Sequence, residues 1–205
     1  MASKTQSRAA NKGGKGGNES IFNWDNANTG VLVGAAVAGA AVGFAANFGR
    51  KFLVQMTSGA TGDWFDALKT EHALTLATFD KIEATDDSQT MMRSHLLTKL
   101  KYALTKHAIE EENVIYPAMR QANETGDADH LTSDHGYVKT YLYELETLPN
   151  SSAEWLARVR DFRAMIEEHM REEEDEIFPA LRGRLSADQN AKLTAMMNKE
   201  GFKHA

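Results

Sequence analysis

The chain has 205 residues, of which 42% are hydrophobic and 25% are charged, a composition typical of a globular protein with one core and room for an appendage. It contains no cysteine, which excludes disulfide bonds, thiolate metal sites and a cysteine nucleophile, and fits a reducing compartment such as the cytoplasm. The net charge of −6 argues against a nucleic-acid-binding protein, so we expect no nucleic-acid partner.

The N-terminal region falls into two segments. Residues 1–29 are rich in Gly, Ser, Asn and Lys and show no periodicity, which predicts a disordered basic tail. Residues 30–52 form a Gly/Ala-rich hydrophobic segment that, as a helix, is about long enough to cross a bilayer. Gly39 and Gly43 would allow two such helices to pack closely, whereas the scarcity of Leu and Ile weakens membrane insertion. A membrane helix, a soluble or self-associating helix and a cleaved signal therefore all stay open.

From about residue 60, apolar residues recur at helical spacing and predict four long amphipathic helices and a short fifth. The breaks between them are short and rich in turn residues, which indicates antiparallel neighbours and an all-α, up-down-up-down four-helix bundle. We place the bundle at residues 60–185 and a short C-terminal helix and tail at residues 186–205, opened by the capping-box pattern Ser186-Ala-Asp-Gln189. The predicted helices span about 63–84, 88–123, 127–148, 152–185 and 186–201.

The bundle contains an internal repeat. HAIEEENVIYPAMR at residues 107–120 and HMREEEDEIFPALR at residues 169–182 agree at eight of fourteen positions. A second pair, Glu-His at 71–72 and Asp-His at 134–135, recurs with nearly the same separation. We therefore expect two helix pairs related by a pseudo-twofold axis, each contributing one His and one His-x-x-x-Glu motif.

The repeated residues have the chemistry of metal ligands. Residues four apart lie on one face of a helix, so the His and Glu of each motif can point at the same place. The alternative to a metal site is that the glutamates face water and the histidines pack in the core. Both motifs, however, lie among apolar residues, where an unpaired carboxylate is costly. Imidazole and carboxylate suit iron, manganese and zinc, and two carboxylates bridging two metals is a known plan for bundles. The predicted ligands are His72, His107, Glu111, His135, His169 and Glu173.

Residues around the motifs receive less specific predictions. Pro117 and Pro179 should kink or end their helices just past the site. Trp64 and Trp155 should cap the core at the start of the first and fourth helices. The remaining histidines, predicted to be surface or structural, are His95, His130 and His204. The glutamates predicted to face water are Glu110, Glu112, Glu172 and Glu174, with Glu112 and Glu174 as alternative ligands.

On these residues the chain resembles hemerythrin-type domains of the HHE cation-binding family over about residues 60–185. The resemblance implies a four-helix bundle holding two non-haem iron ions, with manganese or zinc possible. Oxygen-carrying members typically have a second His one turn after the third-helix His, where this chain has Lys139. A ligand position is thus open, or filled by water or by a side chain such as Tyr137 or Tyr141. The residues that carry the resemblance are His72, His107 and Glu111 before ENVIYPAM, His135, and His169 and Glu173 before EDEIFPAL.

The resemblance implies a protein that binds, senses or reduces a small oxidant, namely oxygen, peroxide or nitric oxide. The missing ligand favours a reactive site or a sensor over oxygen storage, because exogenous ligands bind and are activated at open metal positions. The alternatives are iron storage or handling, and a membrane or assembly protein with a structural metal site. Expected partners are a small diatomic or peroxide ligand, and a membrane or a second copy of the chain through residues 30–52. We expect a cytoplasmic domain, associated with a membrane only if that segment inserts.

Overall fold

The computed structural model describes residues 62–204. The predicted disordered tail at residues 1–29 and the predicted hydrophobic helix at residues 30–52 lie outside the described residues, so membrane contact or self-association through them stays a prediction. Within the described part of the chain, no helix is both long enough and apolar enough to cross a membrane.

Residues 62–204 are all-helical, which confirms the predicted fold class. They form five continuous helical rods. Two of these rods are each built from two α-helices joined by a five-residue π-helical segment. The α-helices are α1 (Trp64–Glu83), α2 (Thr90–Glu110), α3 (Tyr116–Gln121), α4 (Thr125–Thr147), α5 (Ala153–Glu172), α6 (Phe178–Arg184) and α7 (Ala187–His204). The π-helical segments are π1 (Glu111–Ile115), between α2 and α3, and π2 (Glu173–Ile177), between α5 and α6.

Three of the helices, α1, α5 and α7, start at a side-chain cap. Asp63 precedes α1 and accepts hydrogen bonds from the backbone N–H groups of Phe65 and Asp66, and Ser152 caps α5 in the same way. The predicted capping box before α7 is present: the Ser186 N–H donates to Gln189 Oε1 at 2.8 Å, and the Gln189 N–H donates to Ser186 Oγ at 3.2 Å.

The two prolines do not end their helices, which continue to Gln121 and Arg184. The chain instead widens into a π-turn before each proline, and the Tyr116 and Phe178 N–H groups bond to carbonyls five residues back. Proline has no N–H, and its ring clashes with the carbonyl four residues back in a regular α-helix, so a local π-turn relieves the conflict within the helix. Each π-segment begins at the Glu of a His-x-x-x-Glu motif.

Two apolar clusters fill the bundle, one on each side of the histidines. The first contains Trp64, Leu68 and Phe178, together with Leu193 and Met197 of α7, which therefore packs onto the core. The second contains Phe79, Phe162 and Trp155. Trp64 and Trp155 are fully buried, one in each cluster. In α1, His72 lies between Leu68 of the first cluster and Phe79 of the second, so the polar site lies between two apolar clusters.

Candidate metal centre

All six predicted ligands converge at this level of the bundle. The four histidines come from four different helices, and each directs its Nε2 atom toward the bundle axis while the two glutamates lie between them. Each of the six is at most 5% exposed, so the ring is closed to bulk water. The members of this inner ring are His72, His107, Glu111, His135, His169 and Glu173.

Glu111 spans the two halves of the repeat. Its Oε1 lies 3.2 Å from Nε2 of His107 on the same rod, and its Oε2 lies 3.2 Å from Nε2 of His135 on α4. A carboxylate with one oxygen turned to each side is arranged as a bridging ligand between two cations.

Glu173 makes the corresponding contacts from the other half. Its Oε1 lies 3.4 Å from Nε2 of His169, and its Oε2 lies 3.4 Å from Nε2 of His72. His72 Nε2 also lies 3.0 Å from His107 Nε2. Two imidazole nitrogens this close need a shared proton or a shared cation between them.

The ligand atoms divide into two groups, within each of which all atoms lie within 4.8 Å of one another. Glu111 belongs to both groups. This division matches two adjacent cation positions joined by a carboxylate. One group is His72, His107, Glu111 and Glu173, and the other is Glu111, His135 and His169.

Buried atoms of the ring lack hydrogen bonds. Glu111 Oε1, Glu173 Oε2 and His169 Nε2 are inaccessible to solvent, and none makes a hydrogen bond of acceptable geometry. Leaving such atoms unsatisfied costs about 1–3 kcal/mol each, and more where the group is charged. A cation bound among them removes that cost. Nitrogen and carboxylate oxygen are donors that iron, manganese and zinc all accept, so the residues fit a metal centre.

Each histidine is oriented by a second carboxylate on its outer side. With Nδ1–H donated to that carboxylate, the lone pair of Nε2 faces the ring, as metal ligation requires. Two outer carboxylates come from the same half of the repeat as the histidine they contact, and two come from the other half. The pairs are His107 with Glu71 at 3.0 Å, His169 with Asp134 at 3.3 Å, His72 with Glu174 at 2.8 Å and His135 with Glu112 at 3.0 Å.

Of the four glutamates expected to face water, three are about one-third exposed, and the structure corrects the prediction for the fourth, Glu110. Glu112 and Glu174 are only about one-third exposed and hold histidines from outside, rather than replacing Glu111 or Glu173 as ligands. Glu110 is fully buried because the Lys106 ammonium lies 2.7 Å from its Oε1. Glu172 does reach the surface, at 34% exposure.

Tyr116 is the site residue that the sequence prediction missed. Its hydroxyl oxygen is buried in the ring, 3.1 Å from His135 Nε2, 3.2 Å from Glu173 Oε1 and 3.3 Å from Glu111 Oε2. Burial, and then the charges of Glu111 and Glu173, raise the pKa of the phenol well above its ordinary value. The phenol therefore keeps its proton. The repeat held the signal, because Phe178 is the Tyr116 equivalent and the added hydroxyl breaks the symmetry.

The pKa values of the two ring glutamates shift in opposite directions. Burial opposes ionisation of Glu111, but the charges of His107 and His135 and their hydrogen bonds to the carboxylate together outweigh it and hold the Glu111 pKa well below its ordinary value. Burial, and then the charge of Glu111, raise the pKa of Glu173 well above its ordinary value. Burial lowers the pKa of His169 to about 4, so its imidazole is neutral at physiological pH. Its Nε2 lone pair can then be given to a metal ion.

The position one turn after His135 contributes nothing to the ring. Lys139 is 69% exposed, and its ammonium lies 3.4 Å from Glu112 Oε1 on the outer side of His135. The two tyrosines considered as replacements are also elsewhere. Tyr137 is exposed, and Tyr141 stacks on Phe162 at 4.9 Å.

A small apolar cavity adjoins the ring. The centre of a water-sized molecule can occupy about 10 Å³ of it, close to the minimum for one such ligand. The apolar walls come from α2, α4 and α5, and three histidines close one side. The lining residues are Leu104, Ala108, Val138, Ile166 and Met170 with His107, His135 and His169.

The family model of the Hemerythrin HHE cation binding domain matches residues 64–181, and the chain belongs to this family. A DNA nickase of Nostoc sp. is 28% identical over 124 residues, which cover 60% of this chain and 35% of that protein. An uncharacterized hemerythrin-like protein of Schizosaccharomyces pombe is 22% identical over 137 residues, 65% of this chain and 66% of the yeast protein. The chain thus spans about a third of the first relative and just under two thirds of the second. No solved structure matches.

Proposed function

We propose that the chain is a non-haem di-iron protein whose buried centre binds a small oxidant and senses or reduces it. The observation that carries the proposal is the pair of ligand groups that share Glu111 beside a cavity of water-molecule size. Oxygen, peroxide and nitric oxide are the ligands of that size that react with ferrous or ferric iron.

The inner ring supplies the ligands for two metal ions in this proposal. His72 and His107 would hold one ion and His135 and His169 the other, and Glu111 and Glu173, each with one oxygen toward either side, would contribute to both. When bound, iron supplies the redox chemistry and the Lewis acidity that imidazole and carboxylate lack. One turn after His135, Lys139 lies on the outer side of the ring, so no further histidine would hold the second ion and an exogenous ligand has room there.

The cavity restricts what reaches the centre. Its walls carry Leu104, Val138 and Met170, which offer no hydrogen bond to a polar metabolite. The space suits a ligand of one or two heavy atoms beside the three histidines that close one side, whereas a substrate of several heavy atoms does not fit.

Tyr116 supplies a proton at the inner surface of the ring. Because its pKa is raised by burial and by the two glutamates, the hydroxyl remains a donor at neutral pH. Its oxygen lies within 3.3 Å of both bridging carboxylates and of His135 Nε2. Tyr116 is therefore placed to donate a hydrogen bond to an exogenous ligand or to the product of its reduction.

The test uses the full chain, loaded anaerobically with ferrous iron and then mixed separately with oxygen, peroxide and nitric oxide. We expect a change in the near-ultraviolet and visible spectrum with at least one of them, and a further change on adding azide. Val138→Ile narrows the cavity and should slow the reaction without lowering the iron content. His95→Ala, an exposed histidine outside the site, should match the wild type.

Two outcomes would reject the proposal. Iron that stays bound but responds to none of the three oxidants points to a structural metal. Iron that passes rapidly to a chelator, with no oxidant chemistry, favours iron storage or handling.

A further inference from the structure

A second group of potential metal ligands lies on the surface, outside the inner ring. His130 Nε2 lies 3.0 Å from Glu172 Oε2 and 3.7 Å from Asp134 Oδ2. One ligand atom from each residue falls within 4.8 Å of the others. His130 is 54% exposed and the two acidic residues are partly exposed, so the group is open to solvent.

The same two carboxylate positions hold a cation in the other half of the bundle. Asp134 and Glu172 are the repeat equivalents of Glu71 and Glu110, which lie 63 and 62 positions earlier. In that first half the Lys106 ammonium lies 2.6 Å from Glu71 Oε1 and 2.7 Å from Glu110 Oε1. In the first half, the permanent positive charge of the Lys106 ammonium therefore occupies the space between the two carboxylates.

The second half has no lysine at the position equivalent to Lys106. The equivalent of Lys106 is Glu168, an exposed acidic residue that pairs with Arg171. In its place a new nitrogen donor approaches from α4, because His130 stands where the first half has Ala67. A pair of carboxylates with an imidazole and no ammonium is a ligand set for an exchangeable divalent cation.

We propose that His130, Asp134 and Glu172 form a surface site for a divalent transition-metal ion, distinct from the buried ring. The remaining coordination positions face solvent and would be filled by water. With only three protein ligands, the site is weaker than the inner ring and exchanges its ion with solution.

The position of the site gives it a role in metal acquisition. Asp134 Oδ2 also lies 3.3 Å from His169 Nδ1, on the outer side of the ring. A cation at the surface site is thus one carboxylate away from a predicted ligand of the buried centre. Capture at this point raises the local concentration of the ion beside the ring. This role rests on the proposed function, whereas cation binding at the surface does not.

Zinc titration of the metal-free full chain tests the site, with stoichiometry measured by calorimetry or equilibrium dialysis. The titration is run at about pH 8, above the ordinary histidine pKa, to limit competition from protons. His130→Ala should lose one weakly bound equivalent and keep the tightly bound ones. Glu172→Gln should lose the same equivalent. Asp134 is left intact because it also contacts His169.

His95→Ala is the matched control, since it removes an exposed helical histidine elsewhere and should keep the wild-type stoichiometry. The proposal is overturned if His130→Ala and the wild type bind the same amount of zinc, because His130 then serves only as a partner in a salt bridge.

The loading rate tests the acquisition role separately. With ferrous iron supplied at low concentration, His130→Ala should fill the ring several-fold more slowly and reach the same final iron content. An unchanged rate would overturn the acquisition role. A loaded ring that lacks oxidant chemistry would count against the proposed function alone.

Discussion

The two halves of the bundle present the same inner ligands, but they surround them differently. Around the first half, Glu71, Lys106 and Glu110 form a buried ion cluster behind His107. Around the second half, the equivalent space behind His169 opens to solvent, and His130 joins Asp134 and Glu172 there.

The comparison separates the side chains that the two halves share from those that each half adds. Each half supplies two histidines, one bridging glutamate and two outer carboxylates, so that set is common to both. Besides this shared set, the first half has the buried Lys106 ammonium and places the Tyr116 hydroxyl at the ring. The other is open and has Phe178 at the same position. The first half therefore holds the buried ion cluster and the ring hydroxyl, and the second half is more open to solvent.

The largest effect on iron binding is expected from Glu111, the residue that contacts histidines of both halves. Glu111→Ala removes the residue common to both ligand groups, so both metals should be lost. The fall in iron affinity should exceed the roughly 10- to 100-fold that removal of an outer partner costs. Iron per chain after anaerobic loading and desalting measures it, with circular dichroism as the control for folding.

His169→Ala should lower the iron content less than Glu111→Ala does, because His169 belongs to only one of the two ligand groups. If Glu111→Ala bound as much iron as the wild type, the two groups would not share a bridging ligand.

The buried ion cluster predicts the next largest difference between the halves. Lys106→Met leaves Glu71 and Glu110 without their cation and should destabilise the metal-free protein by about 3–5 kcal/mol. Glu168→Met changes the equivalent position of the second half, which is 56% exposed, and should stay within about 0.5 kcal/mol. Urea denaturation measures both, and equal losses would contradict the proposed asymmetry.

Tyr116→Phe makes the two halves alike at the ring. Iron content should be retained, because the hydroxyl is not one of the proposed ligands. Peroxide consumption should fall roughly 10- to 100-fold, at or below the low end of general-acid effects, since a phenol of raised pKa is a weak acid. A variant with wild-type turnover would show that Tyr116 only fills space.

The pH dependence of the free energy of unfolding gives a further difference between the halves. Burial, and then the charge of Glu71, raise the pKa of Glu110 from 4.5 to about 8. Between those values the folded chain holds a proton that the unfolded chain has released, so stability is lost as the pH rises through that window. Glu110→Gln should remove this loss and gain stability relative to the metal-free wild type from about pH 5 to 8.

Denaturation curves at several pH values measure the difference. Glu154→Gln, at an exposed position of α5, is the control and should follow the wild-type pH dependence. A Glu110→Gln curve parallel to that of the wild type would mean that Glu110 is ionised in the folded protein across the whole range.

The sequence predicted the helices and the convergence of the six ring residues well. Helix breaks carry turn residues and caps, and a His-x-x-x-Glu motif repeated in register constrains direction and depth. The number and kind of metals bound stay predictions. The π-segments were missed because an insertion of this kind leaves no periodic signal beyond the proline that follows it. Glu110 was misplaced because its burial depends on Lys106, a pairing that a hydrophobicity pattern treats as two solvent-exposed charges.

The most direct test of the central claim is the iron content of the full chain, loaded anaerobically, together with X-ray absorption at the iron edge. The account predicts about two irons per chain separated by roughly 3.5–4 Å, the spacing of two-metal sites. A folded chain that holds one iron or none, or two irons without an iron–iron signal at that distance, would contradict it.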